Sequence, residues 1–128
     1  MKNQYFGDIN DFWEYGLLRC ISKASGLSVG VCWMLTGDDG SGDGQDREYL
    51  RNPADYRQSD PQLFDRLIPV VDSECDWDVK NARIWDLIPG AEYVEMYLHH
   101  PRPERDQYFS VARSMLSDCP VIFLDPDI

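Results

Sequence analysis

From Val29 to Leu35 the chain reads Val-Gly-Val-Cys-Trp-Met-Leu, large apolar side chains interrupted only by Gly30. A strand without polar alternation is one covered on both faces, as in the interior of an α/β sheet. Before it, apolar residues fall at Ile9, Phe12, Trp13, Leu17, Cys20, Ile21 and Ala24, with Gly16 on the same stripe. These are the spacings of a helix with one buried face. Asp8 or Asn10 can cap its start and Gly26 can end it. A mid-helix glycine costs roughly 1 kcal/mol against alanine, so Gly16 points to a close crossing against another backbone or to a ligand.

Downstream, Gln45 to Leu50 predicts a short helix ending before Asn52-Pro53. Asp60-Pro61 is a helix cap followed by proline at the first helical position. Phe64, Leu67, Ile68 and Val71 then supply an apolar face, which Pro69 limits or kinks. Asp72 to Asp78 has little periodicity and reads as a surface loop, while Arg83 to Ile88 fits a short strand or a helix end equally well. After a Pro89-Gly90 turn, Val94, Met96 and Leu98 alternate with Tyr93, Glu95 and Tyr97, a strand with one apolar face. Tyr108, Phe109, Ala112, Met115 and Leu116 mark a further amphipathic helix, and Val121-Ile122-Phe123-Leu124 a second fully apolar strand. Alternating helix and strand predicts an α/β domain, a Rossmann-like three-layer sandwich with a mostly parallel sheet, over residues 1–128. The chain stops just after an apolar strand. Either that strand is interior and covered by earlier helices, or the sheet is incomplete and the chain a fragment of something longer.

The 12 basic and 23 acidic residues leave a net charge of −11. That balance argues against a general nucleic-acid binder, because phosphate contacts need clustered Lys and Arg. It suits a soluble surface, or an acidic face that docks on a basic protein partner. Cys20, Cys32, Cys75 and Cys119 form no metal-ligand spacing, and Cys20 and Cys32 read as buried thiols on apolar stripes. With no signal peptide and no apolar run long enough to span a bilayer, the chain reads as cytoplasmic, with no membrane partner.

In open α/β sheets ligands bind at the carboxyl ends of strands. The first apolar run opens there into Gly37 to Gly44, with four glycines and three aspartates. Asp39-x-Ser41-x-Asp43-Gly44 matches the opening of a calcium loop, but its twelfth position is Leu50 where a bidentate Glu is needed. The loop otherwise reads as a glycine turn whose N–H groups approach an anionic or nucleoside ligand, or as a flexible acidic loop. It is not a P-loop, since no Gly-Lys-Ser/Thr follows. Asp125-Pro126-Asp127 ends the last strand, and a carboxylate there projects toward the same crevice. His99-His100 follows a strand without an obvious partner and reads as surface.

Asn3-Gln4-Tyr5-Phe6-Gly7-Asp8-Ile9-Asn10-Asp11, with Tyr15-Gly16-Leu17-Leu18-Arg19 after it, resembles the start of an uncharacterised bacterial and phage protein family. Trp33-Met34-Leu35-Thr36, Asp38-Asp39-Gly40, Gly42-Asp43-Gly44 and Phe123-Leu124-Asp125-Pro126-Asp127 extend the resemblance across the chain. Members of that family continue past Asp-Pro-Asp for about half a domain, so the resemblance implies a C-terminally truncated chain. A Lys common in the family before Tyr-Gly-Leu-Leu-Arg is Glu14 here. More distantly, the order of parts is similar to S-adenosylmethionine-dependent methyltransferases acting on ribosomal RNA adenine. That likeness implies cofactor contacts at Asp38, Asp39, Gly40, Gly42, Asp43 and Gly44, and a catalytic role for Asp125, Pro126 and Asp127 at the target base. In amino methyltransferases an Asp/Asn-Pro-Pro-aromatic tetrapeptide occupies this place. Here Asp127 and Ile128 stand third and fourth, and the stacking aromatic is missing.

Three functions follow as expectations. The first is a methyltransferase-like domain, incomplete at its C-terminus and of unknown substrate, with nucleic acid as a candidate. The second is an acidic, non-catalytic interaction or inhibitor protein of phage type. The third is a nuclease-like site holding Mg2+ on Asp38, Asp39, Asp43 and Asp125.

Overall fold

The fold is taken from a computed structural model, which describes residues 1–72 and 77–126. A 3-10 turn at Asn3–Tyr5 leads into helix α1 (Ile9–Ser25) and strand β1 (Val29–Cys32). A second 3-10 turn at Glu48–Arg51 precedes α2 (Pro53–Tyr56), α3 (Pro61–Asp72) and α4 (Lys80–Ile84). Strand β2 (Glu92–Val94), helix α5 (Arg102–Met115) and strand β3 (Val121–Leu124) complete the chain. The three strands form one parallel sheet in the order β2-β1-β3, with Val31 in register with Tyr93 and with Phe123. The mixed α/β class expected from the sequence is therefore observed.

Strand parity divides the core in two. Val29, Val31, Trp33, Tyr93, Val121 and Phe123 face α1 and α3, meeting Phe12, Tyr15, Leu18, Leu63, Phe64 and Leu67. Cys32 and Val94 face α5, meeting Tyr108, Ala112 and Leu116. Gly30 lies on that second face because a Cβ there would stand 3.0 Å from Leu116 and 3.1 Å from Cys119. β1 is thus buried on both sides, as its unbroken apolar run requires.

Caps and pins fix α1. Asp8 caps it by accepting from the N–H groups of Asn10 and Asn10's neighbour Asp11, and Gly26 closes it in the left-handed conformation at φ 70°. Such a cap contributes about 1 kcal/mol. Arg19 pins α1 to the start of α3, donating to Asp60 at 2.6 and 3.3 Å, to Gln62 at 2.8 Å and to the Leu87 carbonyl at 2.8 Å.

Several expectations are corrected. The buried face of α1 is Asp11, Phe12, Tyr15 and Leu18, while Trp13, Leu17 and Cys20 are exposed. Gly16 leaves room at its crossing, since a Cβ would sit 3.9 Å from Leu63, an ordinary contact. β1 stops at Cys32, because Met34 turns to φ 47° and gives its N–H to the Tyr108 hydroxyl at 3.1 Å; only a single bridge, Leu35 to Tyr97, continues the pairing. β3 is an edge strand with Ile122 and Leu124 exposed, so its apolar run is covered on one face alone. Pro69 does not end α3, which runs to Asp72. Arg83 to Ile88 resolves as the end of a helix and a turn, and the segment begun at Gln45 becomes the 3-10 turn. Cys75, most of the loop expected over 72–78, and Asp127 lie outside the described residues. Among the described residues no helix is long and apolar enough to cross a membrane.

Candidate functional site

Because all three strands are parallel, the loops after β1 and β3 leave from the same rim of the sheet. Asp125 follows β3, and its N–H donates to the Cys32 carbonyl at 3.1 Å, holding it beside the end of β1. The first turn and a half of α1 arrives from the other side. Asp11, Glu14 and Asp125 each offer a carboxylate oxygen, and these oxygens all lie within 4.8 Å of one another. Asp8 stands next to them. The cleft between these elements measures about 220 Å3, is open to solvent, and is also lined by Met1, Tyr5, Asn10 and Pro126. The Met1 ammonium donates to the Asp125 carbonyl at 3.0 Å and lies 4.0 Å from its carboxylate.

Each acid is held differently. Asp11 is buried, and one of its oxygens accepts from the Gly7 N–H at 2.7 Å and the Tyr15 hydroxyl at 2.8 Å. Burial is the main cause holding its carboxyl well above the usual range, and Asp8 and Asp125 add repulsion. Glu14 is pushed up to about 7, first by burial and then by Asp125 and Asp8. Burial also raises Asp8, against the N–H groups of Asp11 and Asn10 and the charge of Arg47. Carboxylates crowded in a partly dry notch give up protons reluctantly. A group with an acid constant near neutrality is suited to proton transfer. The cleft lining is rich in carboxyl oxygens, with the Met1 ammonium beside Asp125.

The glycine loop is arranged otherwise. Gln4 fills its concave side: Oε1 accepts from the N–H groups of Asp39 (3.1 Å) and Gly40 (3.3 Å). Its Nε2 donates to Asp39 Oδ1 at 3.0 Å and to Ser41 Oγ at 3.1 Å. Asp38 accepts from the Gln4 backbone N–H at 3.1 Å. Gly42 and Asp43 are exposed, and Gly44 packs against the Tyr5 ring at φ 63°.

Of the residues expected from the sequence, Asp125 and Pro126 line the cleft. Asp38, Asp39, Gly40, Gly42, Asp43 and Gly44 stand on the same rim but are separated from it by the N-terminal turn, with Tyr5 touching both loop and cleft. The four aspartates expected to share Mg2+ are not brought together; Asp125 meets Asp11 and Glu14 of α1 instead. Asp8, Asp11 and Glu14 are not among the site residues expected from the sequence. The available signal was a pair of acids at a helix start, one turn before a tyrosine able to satisfy the inner one. A larger groove of about 680 Å3 runs beside Arg19 and Lys23, but Arg19 is already engaged by Asp60 and Gln62.

Comparison with protein-family profiles, with characterised proteins and with solved structures finds no match to this chain.

Proposed function

We propose that this chain is a Rossmann-like, methyltransferase-like α/β domain whose reacting centre is the acidic cleft at the carboxyl rim. The observation that carries the reading is the meeting of Asp125-Pro126, at the end of β3, with Asp11 and Glu14 of the opening helix. Order β2-β1-β3 is the start of a flavodoxin-like doubly wound sheet and not of the classic Rossmann sheet, where β3 pairs with β2; it supports the position of the site, since ligands of such sheets sit at the β1/β3 switch point. The cleft lies at that junction. At about 220 Å3 it falls below the roughly 300–1,000 Å3 of pockets that enclose a whole ligand of cofactor size. It suits the reacting end of such a ligand, with the remainder reaching the glycine loop.

S-adenosylmethionine, the cofactor implied, supplies a methyl group on a sulfonium cation. The chain's own residues would position and deprotonate. The Asp125 carboxylate accepts from a target amino group, as from a nucleobase, and the acidic wall favours the cationic ligand over neutral competitors. Glu14, with an acid constant near neutrality, is the group placed to take up a proton.

A second reading is favoured by one observation, the 4.8 Å spacing of the Asp11, Glu14 and Asp125 oxygens. Carboxylates grouped in this way suit a hard divalent cation such as Mg2+, and a hydrolytic, nuclease-like chemistry. Calorimetry separates the two readings. S-adenosylmethionine or S-adenosylhomocysteine should bind the full chain and lose affinity in Asp125→Ala. Absence of heat with both compounds, from folded protein, removes the methyltransferase reading. Stabilisation by Mg2+ or Mn2+ that Asp125→Ala abolishes would replace it with the metal one.

A further inference from the structure

We propose that the outer edge of β3 accepts an extended segment of a basic partner protein, which joins the sheet beside Val121–Leu124 and sets a Lys or Arg against Asp125. The inference concerns a contact surface and stands apart from the chemistry assigned to the cleft above.

Backbone pairing shows which groups are left over. β3 has β1 on one side and, among the described residues, no strand on the other. The Asp125 N–H turns inward, to the Cys32 carbonyl at 3.1 Å. Direction alternates from residue to residue along a strand. Phe123 and Val121 therefore also turn inward, and the N–H and C=O groups of Ile122 and Leu124 point out of the sheet. Such a row is a template for another strand, which natural edges commonly guard with a charge, a proline or a bulge. Val121–Leu124 contains no charge and no proline, and its register with β1 is unbroken. Pro120 and Pro126 confine the open edge to the residues between them.

The side chains say what kind of strand fits. Ile122 and Leu124 are 49% and 55% exposed, on the face that α5 covers over Cys32 and Val94. Asp125 points to the opposite face, where it meets Asp11 and Glu14 of α1. Paired residues of neighbouring strands share a face. An incoming strand thus offers apolar side chains opposite Ile122 and Leu124, while its residue opposite Asp125 reaches the mouth of the cleft. Charge makes that residue basic. The carboxyls of Asp8, Asp11, Glu14 and Asp125 outnumber the Met1 ammonium beside them, and the chain carries −11 in all. The same charge disfavours a second copy, whose β3 would bring two chains of −11 into contact. In strand addition, main-chain bonds supply affinity and alternate side chains supply specificity.

The acetylated and amidated peptide Lys-Val-Thr-Val-Lys, which reads alike in either strand direction, tests this when titrated into the full chain. Peptide at about millimolar concentration should shift the Ile122 and Leu124 amide resonances and slow their exchange with solvent. Glu-Val-Thr-Val-Glu should bind at least about tenfold more weakly. Ile122→Pro removes one outward N–H without touching a bond to β1, and should weaken binding about tenfold. Should that variant fail to fold, Ile122→Lys guards the edge with a charge at an exposed position and should weaken binding likewise. Unmoved Ile122 and Leu124 amides in the folded wild type overturn the proposal. So does equal binding of the two peptides, or binding that neither substitution weakens. A wild type that sediments as a dimer, with both amides already protected, gives the edge to a second copy and overturns the basic partner.

Discussion

Glu14→Gln should make the protein more stable, and only on the alkaline side. In the fold, Glu14 is raised from its ordinary 4.5 to about 7 by burial, with Asp125 and Asp8 adding repulsion. A carboxyl whose folded value lies above its unfolded one holds its proton more tightly when folded. Its contribution is fully favourable below about pH 4.5 and is lost as pH rises through about 7. An interval of that size is worth about 3 kcal/mol at 1.36 kcal/mol per tenfold. Glu14 is half-buried, and solvent screening reduces the figure to about 1.5 kcal/mol. The neutral amide keeps the shape and removes the charge. Urea or thermal melts should therefore show Glu14→Gln about equal to the wild type at pH 5. At pH 8 it should be about 1.5 kcal/mol more stable, a rise near 5 °C for a domain of this size. A difference that does not change between pH 5 and pH 8, or a variant less stable at pH 8, would refute the notion of a crowded, partly dry acidic cleft. The gain should come with weaker ligand binding, as when any strained functional group is relieved.

Other consequences follow from single contacts. Gly44→Ala should cost about 2 kcal/mol or more, because the residue is at φ 63° and a Cβ would press into the Tyr5 ring; an unchanged melting temperature would show that the loop does not pack on Tyr5. Gly30→Ala should cost about 1–3 kcal/mol through overpacking against Leu116 and Cys119, measured by urea denaturation. Arg19→Lys should lose the forked contact to Asp60 and the bond to Leu87 together, lowering stability by about 1–3 kcal/mol. Ile122→Lys, on the exposed face of β3, should stay within about 0.5 kcal/mol of the wild type.

The sequence alone determined the α/β class, the end of α1 at Gly26 and its start at Asp8 or Asn10, and the double burial of β1, because caps and unbroken apolar runs are local signals; the fold chose Asp8 as the cap. It also marked Asp125-Pro126 as the end of a strand. It could not show which side of α1 turns inward. Apolar periodicity favoured Trp13, Leu17 and Cys20, whereas the fold buries Asp11 and Tyr15, since each satisfies the other once both leave water. Nor could it show that β3 is an edge strand, because an apolar run reads alike whether one face is covered or two. The tie of the glycine loop to Gln4 and the acidic cleft were decided by the tertiary fold. Gln4 reaches a loop 35 residues away, and Asp125 meets acids more than a hundred positions earlier. Contacts of that kind depend on how helix and sheet are stacked, and no short-range pattern along the chain encodes them.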